Sequence, residues 1–310
     1  MRPILNLFLI SSLISGCSFN SQNDQSREFI DYIKNARANQ KPLDVASNYS
    51  SVLENLNIKG YDLSNINLSN VQIINSSFLQ VDFSGANFQN AQIQNSKLEA
   101  SRFVRVNFES VNIQGSSFEG SVFDTSVWKN VTLIHADLIS IAFKVSTIED
   151  CSFKDSYLDK AVFTQSLIKN SKFKNNSMQT LAVDNTQIAN NVFLGVNLSK
   201  STWNKVKLDK AIGSDNDLSS SKFTDTTLNH FKLPKSNFNN STFKGGSIID
   251  SNFSNSFFVR SSFDKTQIQG CNFKNSYFNY AAVNFIDSSG MSVIYDKANA
   301  YSDPLEANLK

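Results

Sequence analysis

The chain of 310 residues is poor in the groups from which chemistry is usually built: three cysteines, two histidines, four prolines and eleven glycines. Metal ligation needs three or four suitable ligands brought together. Three Cys and two His so widely dispersed do not supply them, and no metal or other cofactor is expected. No glycine-rich phosphate loop is present. Charge of one sign is also missing: 29 basic residues face 27 acidic ones, for a net charge of +2. No global field would therefore steer the protein toward nucleic acid or acidic substrates. Finally, no apolar run reaches the roughly 20 residues that span a bilayer.

Other residues are abundant. Phe occurs 26 times and the hydrophobic share is 40%, enough apolar surface for a core and too much for a disordered chain. Length alone would suggest two globular domains, but the placement of the apolar residues does not.

Every fifth residue from Leu53 is apolar. The series runs through Phe83, Phe103, Phe123, Trp128, Phe143 and Phe163 to Trp203 and Leu208, and resumes after Gly213 as far as Val283. One position in the series fails, Gly213. Neither a helix nor a flat strand has this period. Two places before each of these residues the chain is mostly small, as at Ser76, Ala86, Ser96, Ser121, Ala161, Ser201, Ser221 and Gly246, with few large exceptions such as Leu56, Tyr61, Ile66, Ile141, Leu181 and Phe231. One large and one small inward residue per pentad suits a narrow tube.

Ala86-Asn87-Phe88-Gln89-Asn90 and Ala136-Asp137-Leu138 resemble the pentapeptide-repeat family, whose pattern is small, Asp or Asn, Leu or Phe, then two polar residues. The resemblance covers about three quarters of the chain. It implies an all-β fold, a right-handed quadrilateral β-helix with four pentads per coil. Residues 51–285 would then make about 12 coils, a rod about 60 Å long. Residues 20 apart should stack: Phe83, Phe103, Phe123, Phe143 and Phe163 in one column, and Ile148, Ile168 and Ile188 in another, continued by Leu208, Leu228, Ile248 and Ile268. Gly213 should leave the axis unfilled, so that Ile212 to Asp217 forms a bulge or kink.

Residues 1–16 read as a secretory signal, with Arg2, a short apolar stretch from Ile4 to Ile14, and small residues before Cys17. Ile14-Ser15-Gly16-Cys17 resembles the lipobox of bacterial lipoproteins, which implies that Cys17 becomes a lipid-carrying N-terminus and the membrane a partner. The alternatives are an ordinary cleaved signal beside a chance Cys, or an uncleaved anchor. Ser18 stands where an Asp retention signal would be, which by the same resemblance points to the outer membrane. One acyl chain binds membranes only marginally, and two or three hold a protein there. Residues 17–50 then form the lipidated tether and a capping helix over Arg27 to Ala38, where Phe29, Ile30, Tyr32, Ile33 and Ala36 recur at helical spacing. Residues 286–310 form a C-terminal cap or tail. The apolar residues beyond Val283, among them Phe285, Ile286, Met291 and Tyr295, either cover the last coil or form a seam through which two copies pair end to end.

A filled rod offers no cleft in which catalytic groups converge, so no catalytic residue is expected. His135 and His230 fall on outward corners. Cys151 and Cys271 occupy small inward positions six coils apart, too far for a disulfide, and should be free and buried. The lysines of 154–174 and 200–210 should lie on different sides as a solvated surface. Outward apolar pairs such as Ile74 with Leu79, Val122 with Val127, and Ile134 with Ile139 would mark a partner surface where coils align.

The expected function is a non-enzymatic, envelope-anchored module that binds or scaffolds another protein. A secreted effector or host-contact factor is the alternative. Some members of the resembling family mimic DNA and occupy topoisomerases, but that needs an acidic surface and a cytoplasmic location, so no nucleic-acid role follows.

Overall fold

The structure, a computed structural model, describes residues 24–285. The chain begins with helix α1 (Asp24–Ala38) and a single turn, α2 (Val45–Asn48), and then winds into a right-handed quadrilateral β-helix of about 11 turns. The sequence led to an expectation of about 12. Both counts cover the same residues, 51–285, and at 20 residues per coil they differ by less than one turn.

The winding follows from one repeated conformation. From Asn55 to Tyr280 every fifth residue has a positive φ, at corners as different as Asn65 (58°), Val145 (52°) and Gly85 (72°). A left-handed residue once per pentad turns the chain without a long loop. For most side chains it costs roughly 1–2 kcal/mol, and Asn and Gly bear it best, which accounts for the many Asn corners. At some of these corners the Asp or Asn before the axial residue also tightens the turn. Asp82 accepts the Ser84 N–H (2.8 Å), Asn87 that of Gln89 (3.1 Å), and Asp217 that of Ser219 (2.9 Å).

Between corners the chain makes three-residue strands or single bridges, each parallel to the segment 20 residues on, and one longer strand, Ser262–Gln269, runs through its corner. One face is a nine-stranded sheet running from Val52–Glu54 to Ile212–Ser214. The axial side chains stack in register: Phe103 pairs with Phe123, Phe123 with Phe143, and Phe143 with Phe163. Ile148, Ile168, Ile188, Leu208, Leu228, Ile248 and Ile268 follow one another on a second face. From Leu53 to Phe278 every axial side chain is buried, Gly213 aside.

The small inward positions do more than make room. Ser76 Oγ accepts the Leu56 N–H (3.0 Å), Ser96 Oγ that of Ser76 (3.0 Å), and Ser116 Oγ that of Ser96 (3.1 Å). The same hydroxyls donate to carbonyls, as Ser96 does to Gln94 (2.8 Å) and Ser121 to Leu98 (2.7 Å). A buried amide without a partner costs about 1–3 kcal/mol, so each serine satisfies the coil beneath it. Leu56, Ile66, Ile141, Leu181 and Phe231 also point inward and are buried, while Tyr61 is half-buried.

Two expectations change. Ile212–Ser214 is neither bulge nor kink: Gly213 pairs with Phe193 in register and donates its N–H to Lys232 O (2.9 Å). The backbone comes so close to Phe193 that a Cβ on Gly213 would lie 1.7 Å from the Phe193 carbonyl oxygen. The irregularities sit later in the chain. Gly246 is exposed rather than inward, directly after the Gly245 corner and with a positive φ of its own (67°). Register also shifts between Asp264 and Thr266.

The first coil is covered as its apolar helix stripe predicts. Phe29 and Ile33 are fully buried in the same core as Leu53 and Ile58, together with Val45 from α2. Ser26 Oγ accepts the Asn57 N–H (2.8 Å), and the backbone at 43–45 pairs with Asn67, adding a last rung to the open edge. Arg37 reaches Asp62 at 3.2 Å. Partial burial pushes the Asp62 carboxyl up, but the Ser64 amide and hydroxyl and the Arg37 guanidinium more than offset it, so its pKa lies below the usual value.

Candidate functional site

The cysteines and histidines are placed in two ways: inside the wall, where their hydrogen bonds are used up, or on corners of coils far apart. Cys151 and Cys271 are free and buried. Each behaves as a serine would, with Cys151 Sγ donating toward Glu149 O (3.2 Å) and Cys271 Sγ toward Gln269 O (3.3 Å). Burial pushes the Cys151 thiol up to about 12 and the Cys271 thiol up to about 11. Neither offers the thiolate a nucleophile needs.

His135 and His230 are corner residues, as their pentad position implies. His230 lies 3.4 Å from Asp209 and 3.9 Å from Asp250 on neighbouring coils, with about half its side chain in water. Among the described residues no group of three His, Cys, Asp or Glu is placed to hold a metal ion. Nor is any helix among them long and apolar enough to cross a membrane. Cys17 and the apolar residues from Ile286 onward lie outside the described residues.

The lysines are less dispersed than expected. Lys154, Lys172 and Lys174 share one sheet face, because Lys154 pairs with Lys174 and Ser152 with Lys172. Spacings of 18 and 20 residues return a side chain to the same face. Lys160, Lys200, Lys205 and Lys210 occupy corners, and Lys169 pairs with Glu149 (2.8 Å).

The outward apolar residues are the informative ones. Val122 and Val127 lie on adjacent faces separated by the Thr125 corner, as do the members of the other two pairs. The alignment that matters runs along the rod. Val122 pairs with Ala142, Ala142 with Val162 and Val162 with Ala182, forming an outward apolar stripe on one flat parallel sheet. Val122 is 44% exposed and Val162 37%. Beside it runs a column of Asp124, Lys144, Thr164 and Asp184 in the same register. Below the stripe an open groove of about 710 Å³ surrounds Arg102, where the corners Gly60, Ala100 and Gly120 are small. Near the far end, Phe257 and Tyr277 stack outside the wall at 5.1 Å and 9°. A spacing of 20 would have revealed both features, since Val122, Val162 and their alanines recur at that interval.

The sequence signature described as a pentapeptide repeat region matches residues 126–203, and that described as pentapeptide repeats (8 copies) matches 62–99, 86–124, 221–258 and 236–279. No curated protein matches the chain. Among solved structures, a trypsin-treated variant of QnrB1, a plasmid-mediated fluoroquinolone resistance protein, is 14% identical. That likeness covers 70% of this chain and 92% of that one, with a TM-score of 0.35. HetL, a pentapeptide repeat protein involved in heterocyst differentiation regulation from the cyanobacterium Nostoc, is 13% identical, with coverage of 84% and 97% and a TM-score of 0.26. With pentads matched along most of the rod and folded into a four-sided coil, the chain belongs to the pentapeptide-repeat family.

Proposed function

We propose that the protein is a non-enzymatic rod of the cell envelope, held in the outer membrane by lipid on Cys17, that binds or scaffolds another protein. One observation carries the reading. The inward hydroxyls, thiols and amides are engaged by the coils above and below, so only outward side chains on flat, fixed faces are left to meet a partner. Such faces favour a protein surface over a small substrate, which needs a concave site that buries most of it. Basic and acidic residues alternate along the column beside the stripe, as Lys144 between Asp124 and Asp184 shows, which argues against a DNA-like surface.

Two measurements test this reading. Expressed with its own N-terminus in a Gram-negative host, the protein should partition into detergent with an intact mass that begins at Cys17 and includes acyl chains. Cys17→Ser should release it. An unlipidated mature chain recovered from the medium would instead favour the secreted effector or host-contact reading. Photo-crosslinking residues placed at Arg102, Tyr157 and Lys174, on different faces of the rod, should then capture one envelope protein from one face. Equal or absent capture from all faces would count against a dedicated partner.

A further inference from the structure

We propose that the stripe Val122–Ala142–Val162–Ala182 is the contact through which two copies of this chain pair side by side, antiparallel, about a two-fold axis at Val162. This goes beyond the scaffold reading and does not depend on lipidation.

The argument rests on register. Five strands, Val122–Asp124, Ala142–Lys144, Val162–Thr164, Ala182–Asp184 and Thr202–Asn204, are stacked in parallel without a slip. Two columns therefore face outward side by side: Val122, Ala142, Val162, Ala182 and Thr202 in one, and Asp124, Lys144, Thr164, Asp184 and Asn204 in the other. Two flat sheets can pack face to face at about 10 Å. A two-fold axis across the rod reverses its direction and sets each column against itself.

Centred on Val162, that operation places Val162 on the partner's Val162, Ala142 on its Ala182, and Val122 on its Thr202. In the neighbouring column it places Thr164 on the partner's Thr164, and Lys144 opposite Asp184 twice. At the corners it brings Thr125 level with the partner's Lys205, one residue from Asp124. Other registers fail on the same residues. Centring on Ala142 sets Lys144 against Lys144, and centring on Ala182 sets Asp184 against Asp184. An axis midway between Ala142 and Val162 sets Asp124 against Asp184. An axis midway between Val122 and Ala142 pairs Lys144 with Asp124 but lays Val162 on Arg102 and Ala182 on Asp82, whose places in the column come from their pairing with Val122 and with each other. An axis along the rod lays each apolar residue on the charged column. Like charges across an interface suppress a pairing, and complementary ones fix its register. Two mismatches remain, both between exposed side chains that salt screens: the corner Lys160 meets its own copy, and one row beyond Val122 and Thr202 Arg102 faces the partner's Lys222.

In such a dimer the tethers leave from opposite ends, so an anchored pair would lie along a membrane instead of standing on it.

The test uses the full chain in mild detergent, with mass measured by sedimentation over a range of concentrations. The wild type should be a dimer. Lys144→Asp alone, or Asp184→Lys alone, should weaken dimerisation by about tenfold or more. The double exchange, Lys144→Asp with Asp184→Lys, should restore it. Circular dichroism shows whether each variant keeps the coil. A second measurement is independent of those variants. With Cys151 and Cys271 buried and Cys17 replaced by Ser, Val162→Cys should be linked to itself by a thiol crosslinker that spans about 10 Å, while Thr202→Cys, four coils from its own copy, should link only when Val122→Cys is also present. A monomeric wild type, single reversals that leave the dimer intact, a double exchange that fails to rescue, or self-linking of Thr202→Cys without Val122→Cys would each overturn the proposal.

Discussion

The coils between Phe78 and Phe143 and those between Phe153 and Leu228 have the same outline and different interiors. In the first section aromatic rings touch across the axis as well as along it. Phe123 stacks on Phe103 (4.4 Å, 2°) and on Phe143 (5.1 Å), and meets Trp128 edge-on (5.1 Å, 82°). In the second section the rings persist mainly as one column, Phe153 on Phe173 (4.7 Å) and Phe173 on Phe193 (5.1 Å). Most of the remaining axial positions are aliphatic, among them Leu158, Ile168, Met178, Val183, Ile188 and Leu208, and Gly213 has no side chain at all.

There the lost volume is made up from the wall. Asn176, Asn191 and Asn216 replace serine at inward positions, and each is buried. Asn191 accepts the Ser171 N–H (2.7 Å) and donates to Ile168 O (2.9 Å). Asn216 accepts the Val196 N–H (2.9 Å) and donates to Phe193 O (3.0 Å). A rod of constant width can thus be filled by ring stacking or by longer amides that bond two coils at once. Interiors are packed to a nearly fixed density, so a small residue at the axis requires a larger one beside it.

The contrast can be broken at either end. Phe123→Asp should have the largest effect. An unpaired carboxylate among five rings should cost more than about 4 kcal/mol and remove amide protection from the coils on both sides, while hydrogen exchange at residues 240–280 stays near wild type. A soluble mutant with full protection would contradict the inward placement. Gly213→Leu comes next. Read as a gap at the axis, position 213 should welcome a leucine, whereas the closeness of Phe193 O predicts overpacking of about 1–3 kcal/mol or more. Thermal unfolding distinguishes the two by sign.

Asn216→Ala should cost about 1–3 kcal/mol, because it leaves the Val196 amide and the Phe193 carbonyl without partners. Ser96→Ala in the aromatic section removes a shorter rung and should cost less. The smallest difference is between the two tryptophans. Trp203 Nε1 donates to Ser201 Oγ (2.7 Å), while the buried Trp128 Nε1 has no partner. Trp128→Phe trades lost ring area for relief of that nitrogen and should fall within about 1 kcal/mol of wild type, with Trp203→Phe the more damaging.

The axis was legible in the sequence because its side chains recur with one period and one chemistry. So was the cap, since Phe29, Ile33 and Ala36 fall on one helical stripe. The features that stayed hidden depend on compensation or on alignment at longer range. Gly213 reads as a hole because a sequence shows the missing side chain and not the backbone that moves in. The serines read as merely small, since their hydrogen bonds join residues 20 apart. α2 escaped notice because four residues with one buried side chain carry no period. Val122, Ala142, Val162 and Ala182 were lost among scattered outward residues until the coil length placed them in one line. Cys17 is a different matter: its role is read from a motif alone, and the coil has no bearing on it.

The short reach of the pairing has a consequence for how the chain folds. Every strand is bonded to one 20 residues away, so no step requires closing a loop longer than a single coil, however long the rod becomes. The helical cap is made first during synthesis and presents a finished row to the next coil, as a seed presents a lattice face. Growth is then vectorial, from residue 43 toward the C-terminus, with one open front of unpaired strand edges at any moment. Lesions near the start should delay the completion of everything behind them, and identical lesions near the end should delay only the last rows.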